Sequence, residues 1–203
     1  MAMLCQRYMA TEMSKFYQFI DSLPAVPDRI LSGIDFDRVP TGCDIDKLGT
    51  YNRRKLVNWY GRSFDAMVNN RVDNSPEFKA WVRGNIIPNF LDVGINYVVY
   101  NRDDGQASST GGHTDGSRNY TLIYNVRTGG ERAMTCFWQE HGQPIYRERC
   151  VNSEDMSRLD LLDQVFIPEK RWALLDTRVI HSVENLYDSR ISLQVSLDEN
   201  PWQ

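Results

Sequence analysis

The chain has 203 residues, of which 41% are hydrophobic and 25% charged, and a formal net charge of −4. That suffices for one domain with a sizeable core, unaided by disulfides or structural metal, and it leaves no basic surplus to hold a nucleic-acid backbone. No apolar run reaches the ~20 residues of a membrane-crossing helix, and the opening "MAMLCQRYMATEM" lacks a signal-peptide core, so a cytoplasmic protein without a membrane partner is expected.

The first third reads as mostly helical. In "MSKFYQFIDSL" the apolar residues Met13, Phe16, Tyr17, Ile20 and Leu23 recur at helical spacing until Pro24 and Pro27 end the pattern. "PAVPDRILSGIDFDRVPTGCDIDKLGT", rich in Pro, Gly and Asp, reads as extended loop with short elements, and "RRKLVNWYGRSFDAMVNN" as a second helix of weaker periodicity. "SPEFKAWVRG" carries a compact helix signal: Ser75 as N-cap, Pro76 at the first helical position, and Phe78, Trp81 and Val82 on one face.

The period then changes. "VGINYVVYN" reads as a strand, followed by a polar loop, Arg102 to Gly112, that suits either a lid or a plain surface connection. "NYTLIYNV", "RAMTCFWQE", "PIYRERCV", "QVFIPE", "RWALLDT" and "RISLQVSLD" follow as strands, with hairpin turns at Gly129-Gly130 and "EHGQP" and a helical turn at "SEDMSRLDLL". The expected fold is mainly β with N-terminal helices (α+β): a single domain, 1–203, with helical support over 1–92 and a β-sandwich or barrel over 93–198.

The cysteines, Cys5, Cys43, Cys136 and Cys150, form no CxxC pair and read as reduced thiols. The chemistry therefore rests on isolated polar residues. His113 and Asp115, in "STGGHTDGS", stand two apart, so an extended backbone sends both side chains the same way. His181, in "DTRVIHSVENL", would complete a 2-His-1-carboxylate set, which leaves three adjoining positions open on a six-coordinate metal. Taken singly, each has a bland role: His113 a polar loop residue, Asp115 a turn former, His181 a histidine bonded to a backbone carbonyl. Arg190 and Ser192 share one face of a later strand; inside a barrel the arginine would require an anion, which its planar fork grips bidentately, and the serine hydroxyl can donate to the same group.

HTD at 113–115, His181 in "HSV" and the RxS at 190–192 together resemble the iron(II) and 2-oxoglutarate-dependent dioxygenases of the double-stranded β-helix (jelly-roll, cupin-like) fold, over roughly residues 93–198. The pattern is most similar to the prolyl-hydroxylase-like branch. The resemblance implies Fe(II) held by His113, Asp115 and His181, and 2-oxoglutarate held by Arg190 with help from Ser192 and a further contact from Tyr100. It also implies O2 as a reactant, succinate and CO2 as products, and hydroxylation of an unactivated C–H bond in an amino-acid-like or peptidyl substrate. Related halogenases carry a small residue where Asp115 stands, so the carboxylate points to oxygenation. The chain departs from the branch at Asn125, four beyond Thr121, where a tyrosine is common; Asn125 is the candidate cosubstrate contact in its place.

Two other readings stay open. A cupin-type small-molecule binding protein or isomerase would use a similar barrel, although such sites draw on more histidines and only His141 is left. A nucleobase-directed dioxygenase would use the same metal chemistry, against the acidic balance. Trp138, Tyr146, Arg147, Trp172 and Arg178 read as packing or surface residues, and His141 as an exposed turn residue without a role. Substrate identity and oligomeric state are not written in the sequence.

Overall fold

The computed structural model describes residues 14–33, 66–71, 76–100, 105–107, 109–142 and 155–203. In chain order these form β1 (Tyr17–Phe19), α1 (Asp28–Ser32), β2 (Ala66–Arg71), α2 (Pro76–Asn85), β3 (Asp92–Tyr100), β4 (Tyr120–Thr128) and β5 (Met134–Glu140). A 3-10 turn (Asp155–Arg158), β6 (Leu159–Val165), β7 (Trp172–Asp176), β8 (Ile180–Glu184) and β9 (Arg190–Leu197) complete them. The strands build a six-stranded sheet, β1-β7-β4-β9-β3-β2, and a three-stranded sheet, β6-β5-β8, with every pairing antiparallel.

Strict alternation in β9 decides what each face of the large sheet does. Ile191, Leu193, Val195 and Leu197 are at most 2% exposed and join Val93 and Ile95 of β3 and Leu122 and Tyr124 of β4 in a core closed by Phe78, Trp81 and Val82 of α2 and Ile30 of α1. Arg190, Ser192, Gln194 and Ser196 take the opposite face, toward the small sheet. Between the two sheets the space has an apolar half, where Ile123, Ala173 and Leu175 meet Phe137 and Val165. Complete burial of Phe137 contributes about 1.5–3 kcal/mol and joins the layers.

Several sequence expectations are corrected. "MSKFYQFIDSL" contains β1 in place of a helix: Tyr17 and Phe19 point into the inter-sheet core while Ile20 enters the other, and the free edge of β7 pairs with all three strand residues. Arg171 fixes this edge, donating two hydrogen bonds to Asp21 at 2.7 and 2.8 Å while its guanidinium lies 3.9 Å from the Phe19 ring. The stretch expected as extended loop with short elements does contain a short one, α1, whereas the end of the second expected helix is β2, which satisfies the outer edge of β3; residues 53–65 of that helix lie outside the described residues. The helical turn before β6 is present as the 3-10 turn but yields to strand at Leu159, so the expected strand "QVFIPE" contributes only Gln164 and Val165. β8, in which His181 is the second residue, is a separate strand with its own pairing to β5.

Gly129-Gly130 is not a hairpin turn, because β4 pairs with β7 and β9 while β5 belongs to the other sheet. It is the corner at which the chain changes sheets. Gly129 has φ 87°, its carbonyl accepts from the Tyr187 and Asp188 amides, and a Cβ there would stand 2.4 Å from Leu186 Cδ2 and 3.1 Å from Arg190 Cβ. "PIYRERCV" lies outside the described residues. Cys136 is buried and unbridged; Cys5, Cys43 and Cys150 lie outside them. Among the described residues no helix is long and apolar enough to cross a membrane.

Candidate metal centre

β8 positions the site. One of its edges pairs with β5, and the other takes the segment 110–115: Thr110 N donates to the Val183 carbonyl at 3.0 Å, His113 and His181 exchange both backbone hydrogen bonds (2.9 and 2.8 Å), and Asp115 N donates to Thr177 at 3.1 Å. The HTD stretch is therefore pinned as a short strand-like rung. Residues directly opposite project to the same side, so the two imidazoles meet with ring centroids 4.4 Å apart. Of the glycines flanking the HTD stretch, Gly111 takes a positive φ, 68°; Gly112 and Gly116 do not.

One ligand atom each from His113, Asp115 and His181 lie within 4.8 Å of one another, close enough to share one cation. Both tautomers favour ligation. His113 Nδ1 lies 3.1 Å from the Gly111 carbonyl and His181 Nδ1 2.9 Å from that of Val179; a carbonyl only accepts, so each Nδ1 carries its proton, and in the neutral ring that tautomer places the lone pair on Nε2. Burial first, and then the neighbouring His113, push the His181 ring down to about 4, so it is neutral at pH 7. Burial pushes the Asp115 carboxyl up, but attraction from His181, Arg118 and His113 and the hydrogen bond from Arg118 outweigh it and hold it below the usual range. Arg118 is the permanent positive charge in direct contact with Asp115. A donor set of two imidazoles and one carboxylate suits a divalent transition metal.

Arg190 lies in the same inter-sheet space. It is 4% exposed, and its Nη1 donates to Thr135 Oγ1 at 3.2 Å across from β9 to β5. Val98, Val183 and Leu186 form an apolar cluster beside it, and among the described residues no carboxylate pairs with it. Burial alone pushes its pKa down to about 10, which leaves it charged at neutral pH. Thr135 and Phe137 share one face of β5, and Phe137 stands opposite His181. The guanidinium is therefore about one two-residue repeat, ~7 Å along β5, from the position facing His181.

Ser192 is buried in the next row of the large sheet, between Asn96 of β3 and Asn125 of β4. Asn125 donates to the Ile167 carbonyl at 2.7 Å, while its Oδ1, Asn96 Oδ1 and Thr121 Oγ1 are buried without a partner among the described residues. Asn96 and Asn125 flank Ser192 in one row, and Thr121 stands opposite Ser196 further along the same face. Tyr100 belongs to β3, and its side chain lies outside the described ones. Of the remaining candidates, Trp138 Nε1 donates to Ser182, Trp172 Nε1 to the Pro24 carbonyl, and Arg178 is held by Asp176 and Tyr120; Tyr146 and Arg147 lie outside the described residues. His141, half-exposed, sits 3.0 Å from Asp160, away from the cluster.

Sequence reasoning missed Arg118, Thr135 and Asn96. Arg118 stands three residues after Asp115, a spacing that could have signalled it; nothing in the sequence marks Thr135, which is found only by the crossing of the sheets.

No family model and no curated protein matches the chain. Among solved structures it is similar to the crystal structure of a Pseudomonas putida prolyl-4-hydroxylase, at 9% identity and a TM-score of 0.35, over 66% of this chain and 69% of that one. A likeness of that size assigns neither family nor activity.

Proposed function

We propose that the protein is an iron(II)- and 2-oxoglutarate-dependent dioxygenase built on a double-stranded β-helix, hydroxylating a C–H bond of an amino-acid-like or peptidyl substrate. One observation carries the reading: a buried guanidinium with no counter-charge among the described residues faces the same space as a His-Asp-His cluster. Leaving a cation unpaired in such a place costs several kcal/mol, a cost an anionic ligand would offset.

In this reading His113 Nε2, His181 Nε2 and one oxygen of Asp115 hold the metal, and Arg190 grips the distal carboxylate of 2-oxoglutarate, with Ser192 donating beside it. Iron(II), when bound, supplies the oxygen activation that couples decarboxylation of the cosubstrate to hydroxylation. The chain supplies placement. Backbone carbonyls fix the imidazole tautomers, Arg118 keeps Asp115 ionised, and the apolar lining around Arg190 excludes water and strengthens its hold on an anion. The half-buried flank at His113 and Asp115 is the side from which a substrate reaches the metal. The exposed, separately paired His141 removes the third histidine a cupin-type site would draw on.

The test is succinate release from 2-oxoglutarate with Fe(II) and air, measured alongside the thermal shift given by 2-oxoglutarate and Mn(II) without oxygen. Metal-dependent succinate and a stabilising shift are expected. Absence of both would sink the reading.

A further inference from the structure

We propose that Arg118 is a positioning residue that holds Asp115 as a one-oxygen metal ligand and braces it against the sheet carrying Arg190; this rests on the metal-binding reading above. Arg118 Nε donates to Asp115 Oδ2 at 2.7 Å, while Nη1 donates to Ser196 Oγ at 3.0 Å and to Gln194 Oε1 at 3.3 Å on the inner face of β9. The pair is not a solvated surface contact: the Arg118 and Asp115 side chains are 14% and 15% exposed.

The backbone on either side of Arg118 is fixed as well. Its own carbonyl accepts from Thr177 Oγ1, Asp115 N donates to the Thr177 carbonyl, and Asn119 N donates to that of Leu197. The guanidinium thus has a rigid root and two directed arms, one on the carboxylate and one on β9. A carboxylate with Oδ2 turned to a guanidinium in this way favours a cation at Oδ1, the oxygen that Arg118 leaves free. Released, it could rotate and close on the metal with both oxygens, removing a position that a six-coordinate centre would otherwise leave for other ligands. Gln194 and Ser196 lie on the same face of the same strand as Arg190, so the brace links the metal side of the inter-sheet space to the strand holding the anion anchor.

The experiment is titration of the metal-free full chain with Co(II), reading affinity and the visible spectrum, for the wild type, R118Q, R118K, D115A and the double variant Q194A/S196A. Wild type is expected to bind, D115A to lose binding, R118Q to bind roughly 10–100-fold more weakly with an altered Co(II) spectrum, and R118K to recover part of both. The double variant leaves Arg118 on Asp115 but unbraced; it is expected to weaken binding a few-fold and to shift the spectrum in the same direction, and it carries the test should R118Q fail to fold. Wild-type affinity and spectrum in R118Q, or in R118K and the double variant together, would overturn the positioning role while the loss in D115A kept the metal site. Binding by D115A equal to wild type would overturn the metal-binding reading and this inference with it.

Discussion

Arg190 reaches from the six-stranded sheet to donate a 3.2 Å hydrogen bond to Thr135 of the three-stranded sheet, the only hydrogen bond that its buried guanidinium makes among the described residues. A neutral hydroxyl satisfies one of its five N–H groups and none of its charge. The arginine is therefore poorly placed for stability and well placed for an anion.

Replacing it separates those two roles. R190M is expected to melt at or above the wild-type temperature without ligand, because an apolar chain suits the site better than an unpaired cation. The same variant should lose the stabilisation that 2-oxoglutarate gives the wild type. Differential scanning fluorimetry with and without 2-oxoglutarate and Mn(II) measures both, and an unaltered ligand shift in R190M would remove Arg190 from the anion site.

Removing metal ligands has a different signature. H181A should abolish succinate formation and lower metal affinity by at least about 100-fold, and a chelator should reproduce the activity loss in the wild type until Fe(II) is restored. Inductively coupled plasma analysis of metal content together with a succinate assay reads this out.

The corner at Gly129 packs against Arg190. G129A places a Cβ against Leu186 and Arg190 at a positive φ, so a loss of about 1–3 kcal/mol is expected, with weakened 2-oxoglutarate binding because Arg190 must shift. Chemical denaturation and a ligand titration of the same sample test the two effects together.

Cys136 gives a pH test away from the site. Burial first, and then Glu184, push its thiol up from 9.0 to about 12, so it stays protonated in the folded chain. Site-resolved alkylation at pH 8.5 should leave Cys136 unlabelled until the protein unfolds. The sign of the linkage follows: above pH ~9 the unfolded chain releases this proton before the folded one does, so this group's contribution to stability falls as pH rises toward about 12.

How much of this was legible in the sequence depends on which interaction decided each element. α2, β3, β4, β5, β7 and β9 carry their own periodicity, and His113, Asp115, His181 and Arg190 could be singled out because few polar residue types suit their chemistry. β1 could not be read, because Phe16, Tyr17, Ile20 and Leu23 satisfy a helical period as well as they satisfy two cores on opposite sides of a strand, and only the open edge of β7 decides between them. Gly129-Gly130 looks like a hairpin in one dimension; which sheet receives the next strand is a long-range fact. Arg118 was half legible: its spacing from Asp115 is local, whereas its partners on β9 lie far along the chain.

The division of the site between layers has a mechanical meaning. The candidate metal ligands belong to the small sheet and the segment hung on its edge, whereas Arg190 belongs to the large one. A molecule bound at once to the metal and to Arg190 would be a strut between two plates that packing, the Arg190–Thr135 contact and the Arg118 bonds to Gln194 and Ser196 already couple. On the proposed reading, occupancy would govern stiffness: a ligand spanning both layers would prop the polar half of the inter-sheet space, while the apolar half around Phe137 is already held by packing.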